Sequence, residues 1–93
     1  MEQRTVTVGS ASGLHARPAA LFVKAATAAP ARVKIRVGDG RAVDARSMLS
    51  VLSLGAKQGS VVTLEADGDH AGQAVDELAA LLEKDLDAEP DPS

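Results

Sequence analysis

Cysteine is absent from this 93-residue chain. With it go disulfides, thiolate metal sites and thiol nucleophiles. Aromatic residues are almost absent: Phe22 stands alone, with no Tyr or Trp. The core must therefore be aliphatic, and a nucleic-acid binder would have no platforms on which to stack bases. No apolar run reaches membrane-spanning length, and no basic-then-apolar stretch of signal-peptide type opens the sequence. A cytoplasmic protein is the expectation. The parts of several familiar chemistries are missing as well. There is no Gly-rich phosphate loop followed by Lys-Ser/Thr and no nucleophile elbow. His15 and His70 are distant in sequence and have no cysteine beside them, so no metal and no cofactor is expected.

What is present suits one small domain. Hydrophobic residues make up 45% of the chain, enough for a modest core at this length. The domain is expected over residues 1–86. Residues 87–93 form an acidic, proline-containing tail with too little apolar content to pack, expected to be disordered. The net charge of −3 conceals an asymmetry. Residues 1–64 carry nine Lys/Arg against three Asp/Glu, whereas residues 65–93 carry one against ten. The first part can offer a basic face to an acidic partner, although surface helices and tails also solvate themselves in this way.

Hydrophobic periodicity predicts the order β-α-β-β-α-β-α. Arg4 to Val8 alternates polar and apolar residues, as a half-buried strand does. A helix follows from Ala16 to Ala28, with Ala19, Phe22, Val23 and Ala26 as its buried stripe and Pro30 beyond its end. Val33, Ile35 and Val37 alternate with Arg32, Lys34 and Arg36, giving a one-faced strand. Gly38-Asp39-Gly40 reads as a hairpin turn and Arg41 to Asp44 as the return strand. Ser47 is a candidate N-cap for a short helix over Met48 to Leu54, with Gly55 as its stop. Val62, Leu64 and Ala66 face inward from a fourth strand, and Ala71, Ala74, Val75, Leu78 and Leu82 stripe the last helix. One-faced strands need one covering layer, so the fold class expected is α+β: a four-stranded antiparallel sheet with three helices on one side. A ferredoxin-like domain is the alternative architecture.

The chemistry concentrates in Gly13-Leu14-His15-Ala16-Arg17-Pro18-Ala19. Proline is tolerated in the first turn of a helix, so Pro18 marks a helix start and His15 falls at the N-cap. The backbone N–H groups of Ala16 and Arg17, the positive end of the helix dipole and the Arg17 guanidinium together suit a doubly charged oxyanion. A histidine there can also carry such a group covalently. Taken alone, a histidine in this place is more often an ordinary surface cap. Leu14 reads as a core plug that fixes the approach to the helix. His70 reads as a surface residue near a helix start.

Gly13 to Ala19 resembles the active-site signature of the HPr family, the histidine phosphocarriers of the phosphoenolpyruvate-dependent sugar phosphotransferase system. Arg46-Ser47-Met48-Leu49-Ser50-Val51-Leu52-Ser53-Leu54-Gly55 resembles the short helix that follows that family's regulatory serine. The resemblance implies an open-faced sandwich and a phosphoryl group accepted on Nδ1 of His15 with Arg17 paired to its oxygens. It implies enzyme I as donor and the IIA units of sugar permeases as acceptors. It also implies, in some bacteria, a serine kinase acting on Ser47. Such a carrier is a stoichiometric phosphoryl carrier rather than an enzyme in the strict sense, and it is expected to be monomeric, with no membrane insertion and no nucleic acid. Met48, Leu49 and Leu52 cannot all turn inward from so short a helix, because Val51 and Leu54 claim the core face. The expected docking face has these apolar residues and Leu21 at its centre, rimmed by Arg17, Lys24 and Arg46. The competing reading has Met48 and Leu52 merely closing the edge of the core. Two rival functions are a regulatory or interaction module whose ring is never phosphorylated, and a nucleic-acid binder using the basic half. The sugar, nitrogen-regulatory and dihydroxyacetone branches are not separated by these residues.

Overall fold

The computed structural model describes residues 1–11 and 13–84; the expected acidic tail at 87–93 lies outside them. In chain order the elements are β1 (Glu2–Thr7), α1 (Ala16–Ala28), β2 (Val33–Val37), β3 (Val43–Asp44), α2 (Met48–Ser53), β4 (Val61–Ala66) and α3 (Ala71–Glu83). The strands form one antiparallel sheet in the order β1-β4-β2-β3. β4 is central, with Val6 opposite Val62 on one side and Ile35 opposite Leu64 on the other.

This register puts the large apolar strand residues on one face, except Val61, which is exposed on the other. Val6, Val33, Ile35, Val62 and Leu64 are buried beneath the helices, while Gln3, Thr5, Lys34, Arg36 and Thr63 share the uncovered face. On that face Arg36 donates to Glu65 at 2.8 Å, and the Thr5 and Thr63 hydroxyls lie 3.5 Å apart. α3 lies over β1 and β4, and α1 packs against α2 and α3. Phe22 is fully buried among aliphatic side chains, which contributes roughly 1.5–3 kcal/mol. Ala71, Ala74, Val75, Leu78 and Leu82 are all buried on α3, joined by Ala79.

The helix boundaries expected for α1 hold at both ends, and the buried stripe holds except that Val23 is half-buried. Two strands differ. β1 starts earlier and stops at Thr7, although Val8 remains buried and donates its N–H to the Ser60 carbonyl at 2.9 Å. The return strand is confined to Val43 and Asp44, paired with Ile35 and Lys34; Arg41 and Ala42 belong to the connection. That connection turns tightly at Gly40, whose N–H bonds the Val37 carbonyl at 2.9 Å, and then needs two more residues to return to the register.

Candidate functional site

His15 is the N-cap of α1, with extended backbone (φ −143°, ψ 152°) and an exposed side chain. Its ring makes no capping hydrogen bond to the helix. A Ser or Asp in this place would turn its oxygen back on the first-turn N–H groups; the imidazole does not. Arg17, the second residue of α1, is half-buried, and Pro18, the third, is buried and has no N–H. The first turn contains no acidic residue, so no carboxylate of the helix itself opposes an incoming anion.

Backbone contacts made by the preceding loop set the position of the ring. Leu14, 2% exposed, is the plug expected from the sequence, and its N–H bonds the Ala56 carbonyl at 2.9 Å. Gly13 has φ +71° and lies so close to the segment after α2 that a Cβ would strike the Ala56 carbonyl and come within 2.7 Å of Lys57 Cα. Both its conformation and its packing therefore require glycine. Its N–H bonds the Ser10 carbonyl at 2.9 Å. Further back, Gly59 donates to the Val8 carbonyl at 2.9 Å, and Gln58 Nε2 donates to the Gly9 carbonyl at 3.3 Å. The loop carrying His15 is thus seated on residues 56–60, and sequence reasoning missed this seat.

The second group of expected residues surrounds α2. Ser47 is its N-cap, as expected: the hydroxyl accepts the Ser50 N–H at 3.3 Å. Gly55, at φ +63°, ends the helix. Leu49 is 82% exposed, whereas Met48 and Leu52 are half-buried and packed against the core. The apolar patch is therefore narrower than the sequence suggested, because two of its three members also close the core edge. Leu21 is half-buried and Lys24 exposed on α1, the helix against which α2 packs. Arg46 is exposed but engaged. Its backbone N–H bonds Asp44 Oδ1 at 2.9 Å, and its guanidinium lies 3.4 Å from both carboxylate oxygens. The Arg46 N–H, more than its guanidinium, holds the Asp44 carboxyl below the usual carboxylate range, against a smaller opposing effect of burial.

No group of three or more His, Cys, Asp or Glu among the described residues is arranged to hold a metal. No helix among them is long and apolar enough to cross a membrane. His70 is exposed at the N-cap of α3, in the left-handed region at φ 66°.

Comparison with known proteins agrees with this arrangement. Residues 2–84 match the family described as the PTS HPr component phosphorylation site. The phosphocarrier protein HPr of Streptomyces coelicolor is 47% identical over 91 residues, covering 98% of each chain. That of Vibrio cholerae is 38% identical over 84 residues, covering 90% of this chain and 98% of its own. Among solved structures, HPr-C-His from Thermoanaerobacter tengcongensis superposes with a TM-score of 0.86 at 38% identity, covering 97% of this chain and 100% of the other. Fold, element order and sequence thus converge, and the chain belongs to the HPr family of phosphocarriers of the phosphotransferase system.

Proposed function

We propose that His15 accepts a phosphoryl group from phosphorylated enzyme I and passes it to the IIA unit of a sugar permease. The observation that carries this reading is an exposed imidazole at the N-terminus of a 13-residue helix whose first turn holds Arg17 and no acid. In the forward step a ring nitrogen, Nδ1 by family resemblance, forms a bond to phosphorus as the bond from phosphorus to the donor breaks. The dianion on the ring then lies at the positive helix end. The backbone N–H groups of Ala16 and Arg17 and the Arg17 guanidinium bind its oxygens. The chain holds the group only in transit and is regenerated when the group leaves.

Docking is assigned to the face that joins α1 and α2. Leu49 is its apolar centre, flanked by Leu21, Met48 and Leu52, with Arg17, Lys24 and Arg46 as a basic rim for an acidic partner. Ser47, next to Met48 and Leu49, is a candidate for a serine kinase. A phosphate there would set negative charge beside the docking face and repel the same partner. The working unit is a monomeric cytoplasmic domain spanning residues 1–86.

The test is phosphoryl transfer from labelled phosphoenolpyruvate through purified enzyme I. Wild type is expected to take up one acid-labile, base-stable phosphate, and His15→Ala none. Equal labelling of the variant would move the acceptor elsewhere. No labelling of either would favour the interaction-module reading. A parallel incubation with ATP and a serine kinase, with Ser47→Ala as control, tests the regulatory assignment: label that survives in the variant removes it.

A further inference from the structure

We propose that Gly9 and Ser10 are positioning residues for His15, coupling the pose of the imidazole to the C-terminal end of α3. This rests on the reading of His15 as the phosphoryl acceptor. It concerns residues far from the signature that carries that reading.

A helix leaves its last carbonyls without partners inside the helix. α3 ends at Glu83 with Lys84 in extended conformation (φ −75°, ψ 151°), without the left-handed glycine that commonly closes a helix. The Lys84 N–H bonds the Leu81 carbonyl at 3.2 Å, and among the described residues the loop after β1 reaches two more of the end carbonyls. The Gly9 N–H bonds the Leu82 carbonyl at 2.9 Å, and the Ser10 hydroxyl donates to the Lys84 carbonyl at 3.4 Å. Ser10 is 1% exposed and is the one buried polar residue among those described.

Gly9 is glycine for a reason other than conformational freedom. It is not among the glycines with positive φ. A Cβ built on it would run into the Glu83 carbonyl and lie 3.1 Å from the Lys84 oxygen. Both obstacles are backbone, so no rotamer change relieves them. The glycine is there to let the loop lie directly against the helix end.

From this contact the loop leads to the ring in a few short links. The Ser10 carbonyl accepts the Gly13 N–H at 2.9 Å, closing a turn, and the Leu14 N–H bonds Ala56 at 2.9 Å. His15 follows at once. The loop is therefore held between two supports, residues 56–60 on one side and the end of α3 on the other. Displacing the second support rotates the turn that delivers the imidazole. A reactive atom displaced by about 1 Å can lose up to two orders of magnitude in rate, so the support acts on transfer and not only on folding.

The test varies this chain as substrate of enzyme I and follows the imidazole ¹⁵N signals of His15 by NMR. Gly9→Ala is expected to lower kcat roughly tenfold while KM stays within about twofold. The His15 ring and the Leu82–Lys84 amides should shift together. Ser10→Ala should act in the same direction by about threefold, and Ser10→Thr, which restores the hydroxyl, should recover most of the loss. Gln73→Gly, an exposed substitution at the opposite end of α3 from the contact, is the control. It should lower the melting temperature with ring signals and kcat unchanged. Ring signals and kcat within about twofold of wild type in both Gly9→Ala and Ser10→Ala would overturn the proposal. So would a loss in Gln73→Gly equal to theirs. If Gly9→Ala does not fold, the Ser10 pair decides alone. If wild type takes up no label, the acceptor reading falls, and the ring shifts in Ser10→Ala, present or absent, still decide the coupling.

Discussion

The Asp44 carboxylate and the Arg46 amide show how one residue can make local structure depend on pH. The Arg46 N–H favours the ionised form, so the folded-state pKa of Asp44 lies below its unfolded value of about 3.9. The stabilisation is therefore fully present above the unfolded value and is lost as pH falls through the folded one. Asp44→Asn keeps the shape and an acceptor oxygen but cannot ionise. The difference in urea midpoint between wild type and this variant is expected to be largest near pH 6 and to vanish toward pH 2. A difference that stays constant across that range would remove the assignment. The Asp44–Arg46 pair was not legible in the sequence, because nothing distinguishes an exposed Asp two residues before an Arg from ordinary surface charge. Leu14 was legible, because an apolar residue next to a helix start carries a recognisable benefit; the close packing of Gly13 on Ala56 and Lys57 was not. Nor was Gly9. Its constraint comes from carbonyls more than seventy residues away, and any residue type supplies a carbonyl. His70 is a similar case: histidine is among the residue types enriched in the left-handed region, yet its side chain alone does not say that the backbone here turns to φ 66°.

At the level of elements, α1 and α3 were readable because thirteen residues give the helical period room to repeat, and Pro18 and Pro30 bracket the first of them. β3 was not, because two paired residues contain no period at all. α2 falls between these cases. Six residues set its N-cap and its stop clearly, yet divide Met48, Leu49 and Leu52 between core edge and solvent in a way that composition does not reveal. That division makes Leu49 the sharpest probe of the proposed docking face. Its side chain is 82% exposed, so Leu49→Asp removes little burial and should leave the urea midpoint nearly unchanged. In the phosphotransfer assay KM for enzyme I should rise at least tenfold, the size expected when a central apolar contact is lost and a charge introduced, about 1.4 kcal/mol or more. An unchanged KM would place the contact elsewhere.

For the molecule as a whole, both free borders of the sheet are blunted. β3 offers two residues, and β1, although six residues long, turns Glu2 and Arg4 toward the helix side, where Arg4 pairs with Asp76 on α3. Charged residues of this kind on a border strand discourage pairing with a second chain. Sedimentation equilibrium at about 100 µM is accordingly expected to report a monomer, and a stable dimer would contradict the argument from the borders. The layering has a practical corollary. All three helices lie on one side of the sheet, and Thr5 projects from the other. Because the chain contains no thiol of its own, Thr5→Cys would give maleimide dyes a single address. A fluorophore there would report tumbling and complex formation from behind the sheet, out of the way of whatever binds in front.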